Sequence, residues 1–516
     1  MSDQVRIAFE PAGTVLHIPR GVPLRDVLFR YGVEFPCGGA GRCKGCRVRL
    51  LEGDLPATPI ERERLSPGDL AAGWRLACCH AATGDLTLDI EQWEAVILAD
   101  ETPFAFTPRD GYGVAVDLGT TTLAVQLLEL STGRVLGVRS ELNPQARYGG
   151  DIMSRIEYAL DPHGREMQAR LIREAIGALI GDLLASVPVS AGLLREVILV
   201  GNTAMHHLFC GLDPAPLAQY PFETAHGGMM HFRAAELGWR LEGDPRVRFL
   251  PCMGSFVGSD VLAGVLATRL HQSQRLCALV DLGTNGEIVV GNRERLLCAS
   301  TAAGPAFEGA RIAMGMRAAT GAICEVTRKK QAFHCRVIGG GAPRGICGSG
   351  LVDAVAVALD LGLIEPDGLL AGAREDLEIC PPVRLNQRDI RELQLAKGAI
   401  AAGLRILLSR LQAGLEDLSD VYLAGAFGNY MNRISAWRIG LIEAPPERVR
   451  PSGNTALLGA KMALFGDKAQ TEEIEQILAR TEHVSLASDP EFMDIFADAM
   501  QFPDLTGSRP ITSEDC

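Results

Sequence analysis

The N-terminal stretch of the chain is built from short segments of alternating apolar and polar residues separated by turns. Four such segments have the pattern of strands, at residues 5–9, 14–18, 46–51 and 85–90. The Pro-Ala-Gly at residues 11–13 joins the first two as a predicted hairpin. Residues 24–31 instead repeat with helical periodicity, and Gly32 ends this helix. The pattern therefore predicts a small mixed sheet crossed by one helix.

From residue 112 onward the pattern changes to buried strands that end in Gly-containing turns. One motif is a strand–turn–strand with Asp-Leu-Gly-Thr at its turn, and the other is a buried strand that ends in Gly before a helix. Each motif occurs twice, at residues 112–125 and 276–290 for the first and at residues 197–203 and 421–429 for the second. Such self-similarity indicates an internal repeat. The sequence therefore predicts two similar α/β halves.

A connector lies between the N-terminal sheet and these halves. Residues 95–111 combine charge, Pro and Gly without periodicity, which is typical of a linker. We expect five segments along the chain, namely a domain at 1–94, the linker at 95–111, the halves at 112–275 and 276–466, and a C-terminal helix and tail at 467–516.

Length, composition and charge narrow the function classes. At 516 residues and 47% hydrophobic, the chain has apolar material for about three domains of ordinary size. A net charge of −13 argues against nucleic-acid binding, which needs a basic surface. The first residues lack a signal-peptide pattern, and no uncharged apolar run reaches the roughly 18 residues of a membrane helix. We therefore expect a cytoplasmic protein with neither membrane nor nucleic acid as partner, in which the thiols stay reduced.

Four cysteines of the N-terminal domain have the spacing of a metal-cluster site. Cys37, Cys43 and Cys46 form C-x5-C-x2-C in a loop with four glycines, and Cys78 follows later. Three ligands from one loop and a distant fourth are typical of a [2Fe–2S] cluster. The alternative is a structural zinc site, but zinc ribbons usually pair two C-x2-C knuckles. Cys79 is either a bystander or a spare thiol able to replace a ligand.

The repeated Asp-Leu-Gly-Thr turns are candidate phosphate-binding loops. Residues 117–122 form the first copy and residues 281–287 the second. A Gly-Thr turn lets backbone N–H and hydroxyl groups approach phosphate oxygens, and an Asp at the end of a strand can hold Mg²⁺. One copy alone could be an ordinary turn, whereas two copies after matched strands favour nucleotide binding. The chain has no G-x-x-x-x-G-K-[ST] motif, which excludes a P-loop ATPase.

Two further acidic residues are candidates for the same site. Asp151 opens a predicted helix at the edge of the first half and could orient a water molecule or the metal, or simply cap the helix. Glu308 lies in the segment 303–309 beside the second loop, where it is a candidate for a ribose or catalytic contact.

Both parts resemble known families at these motifs. The N-terminal domain resembles plant- and adrenodoxin-type [2Fe–2S] ferredoxins, which have a β-grasp fold, and all four cluster cysteines match. The halves resemble the superfamily of sugar kinases, actin and heat-shock chaperone ATPases, with residues 423–429 as its adenosine motif. This resemblance implies an ATP and Mg²⁺ site in which Asp117 and Asp281 face the metal from opposite sides. The implied nucleotide-binding residues are Gly119, Thr120, Thr121, Thr122, Gly283, Thr284, Asn285, Gly425, Ala426 and Phe427.

The combination of the two parts resembles the reductive activators of corrinoid proteins, over residues 4 to 502. The implied fold is α+β and α/β multidomain, with a β-grasp ferredoxin domain before a duplicated actin-like (ribonuclease H-like) ATPase. The implied function is ATP-dependent transfer of a low-potential electron from the cluster to Co(II), which regenerates Co(I) for a methyltransferase. The implied partners are the corrinoid protein and an upstream electron donor, and the resemblance also implies a homodimer.

Three alternatives stay open on the sequence. A small-molecule kinase with a fused redox sensor would transfer phosphate to a metabolite, although no evident sugar-binding insert separates the repeats. A nucleotide-switched adaptor would change shape without catalysis. An activator of the kind that serves 2-hydroxyacyl-CoA dehydratases would hold its cluster between subunits, and the N-terminal ferredoxin-like domain argues against it.

Overall fold

The computed structural model describes most of the chain. The described residues are 4–10, 14–28, 33, 41, 46–90, 104–223, 226–283, 285–466 and 468–504. For six of them the backbone alone is described, namely Thr14, Ala373, Ala426, Asn429, Tyr430 and Lys468.

Alternating residues build a five-stranded mixed sheet at the N-terminus. Its strands are β1 (Gln4–Glu10), β2 (Thr14–Pro19), β3 (Arg47–Glu52), β4 (Trp74–Leu76) and β5 (Leu86–Asp89). The order across the sheet is β2-β1-β5-β3-β4, with β1 and β2 antiparallel and β1 and β5 parallel. The hairpin, β3 and β5 confirm the strands that the alternation predicts, to within a residue or two at each end.

Short helices cover this sheet. They are α1 (Leu24–Leu28), α2 (Pro59–Arg64) and α3 (Pro67–Ala71). Thr58 and Ser66 are the N-cap residues of α2 and α3, and each forms a capping box. The hydroxyl accepts from the backbone N–H of the third helical residue, and the carboxylate of that residue accepts from the backbone N–H of the N-cap residue. Leu24 and Leu28 of α1 are buried in one core with Ile7 and Phe9 of β1, so the helix does lie across the sheet.

Two six-stranded sheets are the largest elements of the rest of the protein. The first contains β6 (Tyr112–Leu118), β7 (Thr122–Glu129), β8 (Val135–Leu142), β9 (Leu194–Gly201), β10 (Met230–Arg233) and β11 (Arg246–Phe249). The second contains β12 (Cys277–Leu282), β13 (Gly286–Gly291), β14 (Leu296–Thr301), β20 (Asp420–Ala424), β21 (Val449–Pro451) and β22 (Thr481–His483). A small sheet of β15 (Ala322–Lys329), β16 (Ala332–Val337) and β17 (Gly345–Ile346), and a hairpin of β18 (Asp376–Cys380) and β19 (Val383–Asn386), are inserted between β14 and β20.

The two large sheets share one topology. The order is β8-β7-β6-β9-β11 in the first and β14-β13-β12-β20-β21 in the second. In both, the first three strands in chain order are antiparallel neighbours, and the next two pair in parallel beside the first. The duplication that the Asp-Leu-Gly-Thr repeat predicts is therefore confirmed.

Helices pack on both faces of these sheets. Those of the first half are α4 (Ile152–Ala159), α5 (Pro162–Ser186), α6 (Thr203–Cys210), α7 (Ala215–Ala218) and α8 (Ser259–Thr268). Those of the second are α9 (Gly348–Asp360), α10 (Gln387–Arg410), α11 (Gly425–Tyr430), α12 (Arg433–Arg438), α13 (Thr455–Phe465), α14 (Lys468–Arg480) and α15 (Phe492–Met500). None of the helices in the described part of the chain combines the length and apolar character needed to cross a membrane.

Helices α8 and α13 join the halves. A Cβ on Gly459 of α13 would lie 2.1 Å from the backbone oxygen of Ala263 of α8, so only glycine allows this approach. Leu457 and Leu464 of α13 are buried in a core with Ala115 and Ile198 of the first sheet. The two halves therefore meet along a helix pair that lies next to the first sheet.

The end of the chain packs on the second half. Strand β22 pairs in parallel with β14, and Phe492 and Ile495 of α15 pack on the core that contains Leu404 of α10. The C-terminal helix that the sequence predicts within residues 467–516 is thus present as α15, and it covers the second half of its own chain.

Candidate nucleotide cleft and cluster site

The first phosphate loop is a tight turn between β6 and β7. Asp117 lies near the end of β6, and the N–H of Gly119 donates to the carbonyl of Thr122 at 3.1 Å. A Cβ on Gly119 would lie 2.5 Å from that same carbonyl, which explains the glycine. Thr121 accepts a backbone hydrogen bond from Asn143 at 2.9 Å. Thr120 is 7% exposed, so this part of the turn packs against the body of the protein.

Three asparagines hold this loop. Asn202 donates to the Thr120 hydroxyl at 2.8 Å, Asn143 to the Gly119 carbonyl at 2.9 Å and Asn454 to the Asp117 carboxylate at 2.9 Å. The oxygen of each side chain also accepts a backbone N–H at the start of a helix, α6 for Asn202, a 3₁₀ turn for Asn143 and α13 for Asn454. An asparagine can do both because its amide carries a donor and an acceptor. Each helix start is therefore tied to the loop.

The second phosphate loop carries more charge. Asp281 lies near the end of β12 and is the direct cross-strand partner of Glu287 in β13, so the two side chains share one face. The Gly283 N–H donates to the Asn285 carbonyl at 3.1 Å, whereas the corresponding bond in the first loop runs from Gly119 to Thr122, so the second turn is one residue shorter than the first. Thr284 lies outside the described residues.

Four carboxylates meet around the cleft. Burial raises the pKa of Asp117 to about 6, against the lowering effect of its bond from Asn454. Burial and then the charge of Asp117 raise the pKa of Asp281 to about 7. Burial and then Asp281 raise the pKa of Asp260, in the first turn of α8, to about 8. Burial and then Asp260 raise the pKa of Glu287 well above its usual range.

This donor set fits a divalent cation held jointly with phosphates. Among the described residues, no three His, Cys, Asp or Glu side chains are grouped so that they could hold a metal ion. Mg²⁺ typically takes one or two carboxylates and completes its shell with substrate phosphates and water. Buried carboxylates that repel one another, such as Asp117 and Asp281, supply that kind of partial site.

The predicted adenosine motif lies against the second loop. Gly425 has φ +86°, and a Cβ there would lie 2.8 Å from the Asp281 carboxylate oxygen. The ring of Phe427 stacks on Phe307 with centroids 4.8 Å apart. The side chain of Ala426 is outside the described part. The motif and the second loop therefore form one continuous wall.

The two further acidic candidates come from different halves, and both lie near Arg155. Asp151 is exposed, and its carboxylate accepts from the backbone N–H and the hydroxyl of Ser154 at 2.8 and 2.9 Å. This is the helix-cap geometry that the sequence also allows. Glu308 ends a 3₁₀ turn directly after Phe307, and it lies near Arg155 of the first half. A catalytic role for either residue stays a prediction.

Two of the four predicted cluster ligands are described, and they are neighbours. The sulfurs of Cys46 and Cys78 lie 3.3 Å apart, close to the spacing of about 3.8 Å for two thiolates on one tetrahedral metal. Cys79 Sγ lies 3.8 Å from Cys78 Sγ, so this neighbour is close to the pair. Cys37 and Cys43 lie outside the described residues. The pair fits a cysteine-ligated cluster.

The buried carboxylate of Glu61 holds the segment that carries Cys78. Glu61 is fully buried and accepts from the Leu76 N–H at 2.6 Å, from His80 Nε2 at 2.8 Å and from the Thr58 N–H at 2.7 Å. Burial alone would raise the pKa of Glu61, but these hydrogen bonds outweigh it and lower the pKa to about 2. Glu61 thus fixes both ends of the segment that carries Cys78.

Sequence reasoning missed several of these residues. Glu287 stands inside the quoted second motif, and Asp260 is an acid in the first turn of an otherwise apolar helix. That contrast was the available signal for Asp260. For the asparagines Asn143, Asn202 and Asn454, ordinary cap positions gave no sign of contact with the loop, because the contacts span 24, 82 and 337 residues.

Family models match nearly the whole chain. Residues 8–83 match the 2Fe-2S iron-sulfur cluster binding domain, residues 112–273 match the RACo middle region, and residues 275–511 match the C-terminal domain of RACo, the ASKHA domain.

Relatives of known activity cover most of the chain. A corrinoid activation enzyme, RamQ, of Eubacterium limosum is 34% identical over 76% of this chain and 70% of its own length. A [Co(II) methylated amine-specific corrinoid protein] reductase of Methanosarcina barkeri is 26% identical over 75% of this chain and 76% of its own. The solved structure of a reductive activator for corrinoid, iron-sulfur protein superposes with a TM-score of 0.68 at 27% identity, over 97% of this chain and 98% of that one.

Proposed function

The chain belongs to the family of reductive activators of corrinoid proteins, and we propose that it uses ATP to return a corrinoid protein from Co(II) to Co(I). One electron leaves the chain for each cobalt reduced, and a low-potential donor replaces it. The product serves a methyltransferase, because Co(I) is the form that accepts a methyl group in this family.

The energetics explain why a redox domain and an ATPase share one chain. A bound plant-type [2Fe–2S] cluster has a reduction potential of about −400 mV. The Co(II)/Co(I) couple in this family is lower, and each ~59 mV of deficit costs a factor of ten for a one-electron step. Binding or hydrolysis of ATP offsets this by favouring one arrangement of the chain or of its partner.

The contact between residues 142–146 and the N-terminal domain is the observation that best supports the proposed coupling of ATP to electron transfer. Leu142 and Ala146 of the first half pack against the hydrophobic core of the N-terminal domain. Leu142 pairs with Thr122 of the first phosphate loop, and Asn143, next in the chain, donates to Thr121 and to Gly119. The segment 142–146 therefore touches the cluster domain on one side and the phosphate loop on the other. A change in the loop on ATP binding passes directly to the cluster domain.

The carboxylates of the cleft divide the work of hydrolysis. Asp117 and Asp281 hold Mg²⁺ together with the phosphates of ATP. Burial and then the charge of Asp281 raise the pKa of Asp260, and burial and then the charge of Asp260 raise that of Glu287. In its ionised form, which a nearby Mg²⁺ would favour, either carboxylate can take the proton of the attacking water. Phe427 and Gly425 border the adenosine side. This assignment replaces neither Asp151 nor Glu308 as candidates but places the proton acceptor nearer the two loops.

Cellular setting and assembly follow from the same proposal. The cytoplasm supplies ATP and keeps cluster thiols reduced. An upstream low-potential reductant loads the cluster, and the active form is a homodimer, as the family resemblance implies.

A cysteine pair tests the redox half of the proposal. We expect Cys46→Ala to abolish [2Fe–2S] absorption and EPR signals together with corrinoid reduction, while ATP hydrolysis persists. Cys79→Ala is the matched control, since Cys79 neighbours Cys78 without belonging to the predicted ligand set, and it should keep both signals. A Cys46→Ala protein that still reduces the corrinoid partner would refute the assignment of the cluster as donor.

A further inference from the structure

Arg155 of α4 is a buried cation with an open hydrogen-bonding position. Its side chain is 0% exposed. Nε donates to the Gly149 carbonyl at 2.8 Å, and Nη1 reaches the Met205 sulfur, a weak acceptor, at 3.7 Å. Nη2 is buried and has no hydrogen-bond partner. A buried donor without a partner costs free energy, so this one calls for a ligand.

Two short chains of contacts place this guanidinium beside the first phosphate loop. The Met205 sulfur that Arg155 reaches also accepts from Asn143 Nδ2 at 3.5 Å, and the same nitrogen donates to Gly119. The Met205 N–H, in turn, is capped by Asn202, which donates to Thr120. The cation is therefore separated from the loop by a single layer of side chains.

The other side of Arg155 faces the second half. Burial lowers the pKa of Arg155 to about 9, while the charges of Asp151 and of Glu308 act in the opposite direction. Glu308 belongs to the wall formed with Phe307 and Phe427, so Arg155 lies where the halves meet. At neutral pH the guanidinium remains charged. It is thus a buried positive charge that lies between the first phosphate loop, beyond the Met205 and Asn143 side chains, and Glu308 of the second half.

We propose that Arg155 is a catalytic residue whose free Nη2 donates to the γ-phosphoryl group of ATP during hydrolysis. This inference rests on the proposed function. A water oxygen forms a bond to the γ-phosphorus as the bond to the bridging oxygen breaks; the electron pair leaves on ADP, and the proton of the water passes to a cleft carboxylate. Negative charge on the transferred phosphoryl oxygens is then met by a planar donor that is already desolvated and oriented.

The position also explains why Arg155 and Glu308 lie close together. Of the two carboxylates whose charges raise the pKa of Arg155, Glu308 comes from the second half. An incoming γ-phosphate competes for the same cation. Arg155 thereby senses whether the nucleotide carries a third phosphate, and it does so next to the segment that touches the cluster domain.

Kinetics of three full-length variants test the assignment. We expect Arg155→Lys and Arg155→Gln to lower kcat for ATP hydrolysis about 10³-fold, the contribution of an arginine finger, with Kd for ADP changed less than about threefold. Arg173→Lys is the matched control, because Arg173 is a half-buried arginine of the same half whose Nε bonds the Phe209 carbonyl. It should leave both constants unchanged.

Three results would overturn the assignment. One is a near-normal kcat in both Arg155 variants, and another is a loss of ADP affinity that parallels the loss of kcat, as a structural role predicts. The third result does not depend on a variant that folds. It is a crystal structure of the wild-type protein with ADP and aluminium fluoride in which Arg155 Nη2 lies beyond hydrogen-bonding distance of the fluoride. Failure of the wild-type protein to hydrolyse ATP would instead contradict the proposed function itself.

Discussion

The two phosphate loops follow corresponding strands but differ in length by one residue and in the side chains around them. In the first, amide side chains from two helix starts and one 3₁₀ turn fix the loop by hydrogen bonds, and Asp117 accepts from Asn454 at 2.9 Å. In the second, Asp281 faces Glu287 across the strand pair, and Asp117 and Asp260 add negative charge rather than cancel it. The two halves thus share a strand order, while the side chains around their loops differ.

This difference indicates what each loop does. The first is a positioning device, because every asparagine that holds it also begins a helix or turn, and because segment 142–146 links it to the cluster domain. The second is a cluster of buried carboxylates, which we propose a cation and phosphates stabilise when they bind. Substitutions in the second loop should therefore act on chemistry, and those around the first on geometry and coupling.

The largest effect is expected in the second loop. Asp281→Asn removes a carboxylate that we propose holds the metal, and we predict a fall in kcat for ATP hydrolysis of about 10³-fold, the scale for losing one preorganised electrostatic group. Asp420→Asn is the matched control: Asp420 lies on the neighbouring strand β20, opposite Cys277 and thus at the far end of β12. Steady-state phosphate release measures both, and equal rates in the two variants would contradict the proposed role of these buried carboxylates.

The next effect concerns coupling through segment 142–146. Ala146→Glu presses a carboxylate against the core of the cluster domain, and we expect ATP-stimulated corrinoid reduction to fall about tenfold or more while ATP hydrolysis continues, since burying an unpaired charge costs several kcal/mol. Ala302→Glu is the control, because exposed Ala302 follows β14 as Asn143 follows β8. If both variants couple normally, the contact does not transmit the nucleotide state.

A smaller effect should follow from the asparagine that orients Asp117. Asn454→Asp keeps the cap of α13 but replaces the amide donor by a second carboxylate, so KM for Mg-ATP should rise about tenfold. Asn454→Ser also keeps the cap and removes the donor without adding charge, so KM for Mg-ATP should rise less in this variant. Thermal unfolding within about 1 kcal/mol of the parent would verify that the cap survives in both. An unchanged KM in Asn454→Asp would show that Asp117 needs no orientation.

The smallest effect is a pH dependence of stability. The pKa of Asp281 rises from 3.8 to about 7 on folding, chiefly through burial and then through Asp117, so the native state binds the proton more tightly. Its contribution is therefore fully favourable below about pH 4 and is lost as the pH rises through 7. Denaturant unfolding should show Asp281→Asn gaining stability over the parent between pH 4 and 7, and saturating Mg-ADP should erase the gain. A difference that is flat with pH would contradict the buried charge.

Sequence patterns were sufficient for the centre of the scaffold and for the ends of its strands. Alternation and the Asp-Leu-Gly-Thr repeat predict the central strands of both large sheets, because strand periodicity and a Gly-containing turn are local properties, but they do not predict the outer strands β10, β11, β21 and β22. The residues that complete the site are not local. Asn202 and Asn454 hydrogen-bond to residues of the first loop that lie 82 and 337 positions away in the sequence. Arg155 is buried only because α4 packs into the fold, and its sequence neighbours do not indicate this burial. Such contacts depend on how the halves meet, which periodicity does not encode.

The central claim is that ATP drives the electron from this chain onto cobalt. The most direct measurement follows the absorption of Co(I) after the reduced, cluster-loaded protein is mixed with a corrinoid protein of the same organism in its Co(II) state. The account predicts Co(I) formation with Mg-ATP and at least a tenfold slower or absent reaction with Mg-ADP or without nucleotide. Equal Co(I) formation in all three conditions would contradict it.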